Sequence, residues 1–266
     1  MTKYPNKFGI SFDLDKFLTL KNTNLFAFSS LNRNFALPLH LEMEQVKAAL
    51  FDLDGVVFDT EPQYTVFWGA QCREFHPEHP GLEHEIKGQT LDQIYDTWFD
   101  GELKTVRPVL TQRLNDFERD MDYSYIAGFE DFIARLHKQD IKTAVVTSSN
   151  QQKMDSVYRK HPEFQRLFDA ILTSEDFEYS KPHPDCYLKA AARFAANPEE
   201  CMVFEDSFNG LRSGRAAGMT VIGLATTNAA EAIAPLCDRV INDYLEISNL
   251  GISKNNKIIK KLWQDI

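Results

Sequence analysis

A mostly apolar, strand-like run over residues 46–51 ends on two aspartates, Asp52 and Asp54, with Gly55 directly behind them. An apolar segment of this length reads as a buried strand, and buried strands belong to parallel sheets covered by helices. In open parallel sheets, binding and catalytic groups gather beyond the carboxyl ends of the strands. Consecutive strand residues alternate faces, so Asp52 and Asp54 are predicted on one side and Leu53 on the other. Gly55 then permits a sharp turn. Two carboxylates this close ask for a cation or a shared proton. Mg²⁺ suits them, because it takes oxygen ligands and keeps water for a substrate.

The bland alternative is an Asp-rich turn after an edge strand. The chain contains its own control: Phe12-Asp13-Leu14-Asp15 repeats the string, but no apolar strand precedes it and Lys16 replaces the glycine. That first copy is read as non-functional.

After Asp59, Thr60-Glu61-Pro62-Gln63 predicts a helix start, with Thr60 as cap, Gln63 at the capping-box position and Pro62 in the first turn. Residues 63–125 are helix-like and strand-poor, and their aromatics, Tyr64, Phe67, Trp68, Phe75, Tyr95, Trp98 and Phe99, recur at helical spacings expected of a core. Beyond Gly128, helix and strand alternate. Phe129, Phe132, Ile133 and Leu136 form a helical stripe; residues 141–146, 170–172, 201–204 and 220–224 read as strands, and 184–196 and 207–217 as helices. The pattern predicts an α/β fold, a mostly parallel sheet with helices on both faces and a helical domain inserted after the first strand. The expected division is a core of residues 43–62 and 126–250, a helical cap of 63–125, and a C-terminal tail or helix of 251–266. Residues 1–42 are expected to be a poorly structured tail, or to precede a true start at Met43.

A formal net charge of −10 disfavours nonspecific nucleic-acid or anionic-membrane binding. No stretch approaches the ~18 consecutive apolar residues of a membrane span, so a cytoplasmic protein is expected. Cys72, Cys186, Cys201 and Cys237 have no metal-like spacing and read as reduced thiols. In the cap, His76, His79, Glu83 and His84 invite a metal reading, but Pro77, Pro80 and Gly81 break any helix that would align them, so a solvated loop is expected. A monomer is expected.

Three further polar groups fall just past strand ends. Thr147-Ser148-Ser149 offers hydroxyls and backbone N–H groups to an anion. Lys181 offers an ammonium to a phosphate oxygen, and Glu205-Asp206 adds carboxylates for a metal. Each piece alone reads as a turn, a solvated lysine or a helix cap; the joint arrangement is hard to obtain by accident.

With Asp52-Leu53-Asp54-Gly55 first, Thr147 second, Lys181 third and Glu205-Asp206 fourth, the chain resembles the haloacid-dehalogenase-like hydrolases over roughly residues 46–245. The resemblance implies a Rossmann-like core with an inserted helical cap. It implies Asp52 as nucleophile, forming an aspartyl-phosphate, and Asp54 as general acid and base. It also implies Mg²⁺ held by the Asp52 carboxylate, the Asp54 main-chain carbonyl, Glu205 and Asp206, with Thr147, Ser148 and Lys181 on the phosphate. Dehalogenation is the poorer option, because these acids suit phosphoryl chemistry.

Asp-Gly-Val-Val-Phe-Asp-Thr-Glu-Pro and the small cap are most similar to the β-phosphoglucomutase and sugar-phosphate phosphatase branch. The mutase pattern has a His where this chain has Tyr64 and an Arg where it has Leu91. Their replacement favours hydrolysis of a small phosphorylated metabolite. Lys87, Gln89 and Thr90 of the cap loop are expected to contact substrate, against the bland reading of Lys87 as a solvated charge. β-Phosphoglucomutase and an inactive ligand-binding module are the alternatives.

Overall fold

The computed structural model describes residues 46–249. The expectations for residues 1–42, for Asp13 and Asp15, and for 251–266 lie outside them.

Six parallel strands form one sheet: β1 (Ala48–Phe51), β2 (Lys142–Val146), β3 (Ala170–Leu172), β4 (Cys201–Glu205), β5 (Thr220–Leu224) and β6 (Arg239–Ile241), in the order β3-β2-β1-β4-β5-β6. The short edge strand β6, built around Arg239 and Val240, has too little apolar length to stand out in the sequence. Phe51 lies opposite Val145 on one side and Phe204 on the other. All four residues of β1 are buried, as a central strand covered on both faces must be. Alternation divides them. Ala49 and Phe51 join an apolar layer with Phe129, Phe132 and Phe204, while Ala48 and Leu50 join the opposite layer with Val146, Val203 and Val221. The Phe51 and Phe204 rings stack at 4.6 Å.

The strand order reverses at β1, whose two neighbours are reached by chain segments running in opposite directions across the sheet. Such a switch point opens a crevice at the carboxyl ends of the strands.

Between β1 and β2 the described chain is helical: α1 (Glu61–Phe75), α2 (Leu82–Glu85), α3 (Leu91–Trp98) and α4 (Arg107–Asp120) precede α5 (Phe129–Lys138). Trp68, Cys72, Leu82, Ile94, Phe99 and Leu110 give this insertion an apolar cluster of its own. Helices α6 (Gln151–Lys160), α7 (Asp185–Arg193) and α8 (Phe208–Ala216) then alternate with β2 to β5. Among the described residues, no helix is long and apolar enough to cross a membrane.

The four cysteines are free. His79 bonds Glu85 at 2.8 Å and His76 bonds Glu78 at 3.2 Å, but His76 is buried against Trp98 and Phe99 instead of being solvated. Its place at the end of α1, where the chain turns back over the cap core, explains the difference.

Candidate active site

β1 stops at Phe51, so Asp52 and Asp54 share a side for a reason other than strand alternation. The Asp52 N–H is tied to the Phe204 carbonyl at 3.0 Å, and the following residues curl into a turn closed by Gly55 N–H on the Phe58 carbonyl at 2.8 Å. Leu53 is fully buried in the core, whereas both aspartates line one cavity of about 810 Å³. Gly55 has φ +71°, and a Cβ there would lie 2.1 Å from Asp206 Oδ2. Only glycine lets the turn pass this close to the second acidic segment.

Lys181 joins the motifs. Its buried ammonium donates to Asp52 Oδ1 at 2.7 Å, Glu205 Oε1 at 2.6 Å and the Val146 carbonyl at 3.0 Å. Burial alone would lower its pKa, but the Asp52 and Glu205 carboxylates outweigh burial and hold it protonated. Burial pushes the Asp52 carboxyl up to about 7 against the pull of Lys181, and the charges of Glu205 and Asp54 add to the rise. Asp206 is driven well above the usual carboxylate range by burial, then by Glu61, Glu205 and Asp52.

Ligand oxygens of Asp52, Glu205 and Asp206 all lie within 4.8 Å of one another. A hard-oxygen donor set in which burial and neighbouring carboxylates raise the Asp52 and Asp206 carboxyls fits a divalent cation. The three are not equivalent, however. Asp52 and Asp206 line the cavity, and Glu205 does not. Besides Lys181, Glu205 Oε1 accepts from the Tyr187 hydroxyl at 2.7 Å, and Oε2 from the Ser207 hydroxyl at 3.2 Å. Gly210 makes room for it, since a Cβ there would fall 1.8 Å from Oε1.

Asp54 is held from three sides. The Thr60 hydroxyl donates to Oδ1 at 2.5 Å, while Oδ2 accepts from the Ser149 hydroxyl at 3.3 Å and from the Lys153 ammonium. Thr60 makes no capping bond to α1, and the Gln63 side chain reaches the Asp122 carbonyl at 2.9 Å, so the predicted capping box is absent. The carboxylate of Asp54 is the stronger acceptor and draws the threonine hydroxyl away.

Thr147 is buried at the end of β2, its Oγ1 accepting from the Ser149 N–H at 3.0 Å. Ser148 lines the cavity with a buried hydroxyl that has no hydrogen-bond partner among the described residues. Lys87, Gln89 and Thr90 line the cavity from the cap side. Lys87 is not solvated: its ammonium pairs with Glu61 at 2.9 Å. Thr90 caps α3 in a complete capping box with Gln93, and Gln89 Nε2 donates to the Glu85 carbonyl at 3.1 Å. Both cap side chains therefore have structural partners as well as a place on the wall.

Lys153, Tyr187 and Thr227, whose hydroxyl donates to Asp206 Oδ2, are neighbours that no motif announces, and Thr60 reads in the sequence only as a helix cap. Lys153 had one available signal. It follows the Asn150 cap by three residues in α6, immediately behind the Thr147 turn, and so faces that turn.

Sheet and cavity define the class: a Rossmann-like α/β fold with its polar centre beyond the strand ends. Residues 49–224, about two thirds of the chain, match the family model of haloacid dehalogenase-like hydrolases, and the chain belongs to that family. It is 28% identical over 217 residues to a probable pseudouridine-5'-phosphatase of Drosophila melanogaster, covering 74% of this chain and 92% of that one. It is 26% identical over 194 residues to hexitol phosphatase B of Escherichia coli K12, covering 67% and 83%. CbbY from Rhodobacter sphaeroides, solved in complex with phosphate, superposes with a TM-score of 0.62 at 23% identity, over 76% of this chain and 96% of that chain. That likeness is one of fold. The family makes the chain a haloacid dehalogenase-like hydrolase, and the two relatives named are phosphatases.

Proposed function

We propose that the chain hydrolyses a small, sugar-like phosphomonoester in two steps, through an aspartyl-phosphate on Asp52. The observation that carries this reading is the pairing at the cavity floor: Asp52 held by Lys181 at 2.7 Å, with Asp54 beside it and held separately by Thr60. One carboxylate is thus positioned to attack and the other to move a proton. An Asp52 oxygen bonds to phosphorus as the bond from phosphorus to the leaving oxygen breaks, and that oxygen takes a proton from Asp54. Water then attacks the same phosphorus, gives its proton to Asp54, and the bond to Asp52 breaks. Lys181, Thr147 and the Ser148 hydroxyl, which has no partner among the described residues, take phosphoryl oxygens, where most of such catalysis resides. Mg²⁺, held by Asp52, the Asp54 carbonyl and Asp206 with Glu205 behind them, supplies positive charge to the transferring group when bound. The helical insertion, residues 63–125, is the cap, and its Lys87 to Thr90 loop screens the substrate.

Hydrolysis is favoured over phosphoryl return to a second sugar oxygen. Tyr64 spends its hydroxyl on Glu118 at 2.7 Å and Leu91 offers no charge, so neither grips a phosphate. The test is phosphate release from a panel of sugar phosphates, polyol phosphates and phosphoglycolate with Mg²⁺, alongside β-glucose 1-phosphate primed with glucose 1,6-bisphosphate. Phosphate release is expected. Primer-dependent glucose 6-phosphate formed faster than phosphate would make the chain a mutase, and silence on every substrate would make it a binding module.

A further inference from the structure

The charge inventory of the cavity carries a step further, resting on the phosphatase reading. Among the described residues, the lining includes three cationic side chains, Lys87, Lys153 and Lys181, and no arginine or histidine. Each is already committed. Lys181 is shared by Asp52 and Glu205, Lys153 sits on Asp54 and 4.6 Å over the Tyr64 ring, and Lys87 pairs with Glu61. Their exposures of 1%, 2% and 15% leave little freedom to swing toward a second anion on the cap side. The cap side of the lining is acidic, with Glu83, Asp92 and Glu118. Burial raises the Glu118 carboxyl even with Lys153 pulling it down. Trp68, Ile94 and Leu114 complete that wall with carbon surface.

We infer that the leaving group is an uncharged, hydroxyl-bearing carbon chain, and that a second anionic group on the substrate is rejected by charge. A carboxylate or second phosphate in the upper cavity would find no available cation among the described residues and would face the carboxylates of Glu83 and Asp92, a repulsive form of selectivity. A cationic leaving group is less favoured than a neutral one, because Glu118 already accepts the Tyr64 hydroxyl and Glu61 already holds an ammonium.

The experiment compares kcat/KM of the full chain, with Mg²⁺, on matched phosphate esters: glucitol 6-phosphate against 6-phosphogluconate, fructose 1-phosphate against fructose 1,6-bisphosphate, phosphocholine as the cationic arm, and p-nitrophenyl phosphate as a general substrate. The neutral member of each pair is expected to be favoured at least about thirtyfold, which is ~2 kcal/mol at 1.4 kcal/mol per decade. Raising ionic strength should narrow the gap, and Asp92→Lys should raise the anionic-to-neutral ratio at least about threefold by removing one repulsive charge and adding an attractive one. Turnover of the anionic partners within threefold of the neutral ones, a ratio unmoved by Asp92→Lys, or a preference for phosphocholine would each overturn the inference. No phosphate release from any member, p-nitrophenyl phosphate included, would overturn the phosphatase reading instead. Ligand protection against thermal unfolding would then decide the charge rule: stabilisation by the neutral members alone supports it, and equal stabilisation by the anionic ones overturns it.

Discussion

The Lys153 ammonium, on the first turn of α6, donates to Asp54 Oδ2 across a sequence separation of 99 residues, and it is itself only 2% exposed. The bond fixes one face of the proposed proton carrier before any substrate arrives. Removing one partner of such a pair leaves the other as an uncompensated charge.

Lys153→Met should therefore destabilise the protein by about 3 kcal/mol, with Asp54 left short of its counter-ion in a largely enclosed site. Adding Asp54→Asn should recover part of that loss, a coupling of about 1–2 kcal/mol. Urea unfolding of the two single variants and the double variant measures it; strict additivity would mean the ion pair contributes nothing.

Asp52→Asn should fold normally and lose at least about a thousandfold in turnover, equivalent to ~4 kcal/mol of barrier. The amide keeps the shape and one hydrogen bond to Lys181 but is no nucleophile. Phosphate release with the best substrate is the measurement, and near-normal rates would remove Asp52 from the role proposed for it.

Much of this site was legible because its residues lie where strands end. An apolar strand followed at once by Asp52, Thr147 or Glu205 has a fixed address in a parallel sheet, so short motifs over residues 52–55, 147–148, 181 and 205–206 converged on one cavity. Glu205 and Asp206 are adjacent and look alike in sequence, yet one is turned inward to hold Lys181 and Tyr187 while the other lines the cavity. That difference depends on the buried Tyr187 from α7, seen only once the chain has folded. Thr60 illustrates the opposite failure. Its local pattern says helix cap, and a carboxylate six residues earlier overrides it.

Gly210→Ala tests the inward placement of Glu205. The added methyl would lie 1.8 Å from Oε1, so either the carboxylate leaves Lys181 or α8 shifts. Adding bulk where no space exists costs about 1–3 kcal/mol, and here the loss should include activity. A variant with wild-type melting temperature and turnover would show that Glu205 is not confined as described.

Chelation should abolish activity, and Asp206→Asn should raise the Mg²⁺ concentration giving half-maximal rate by about tenfold or more, since one charged oxygen ligand becomes neutral. Glu205→Gln should act differently, weakening the hold on Lys181 more than on the metal. Full activity after thorough chelation would rule out the cation, and identical Mg²⁺ titrations for both variants would remove the distinction between the two acids.

The central position of β1 has a consequence for how the molecule breathes. Opening a sheet from its margins exposes the three-residue edges β3 and β6 first, whereas the Leu50 and Phe51 amides, flanked by β2 and β4, exchange with solvent only when most of the sheet has come apart. The Asp52 amide, bonded to the Phe204 carbonyl, belongs to the same slow set. In deuterium-exchange terms, the segment carrying the aspartates should retain protection close to that of global unfolding, so the chemistry is anchored to the last part of the protein to open.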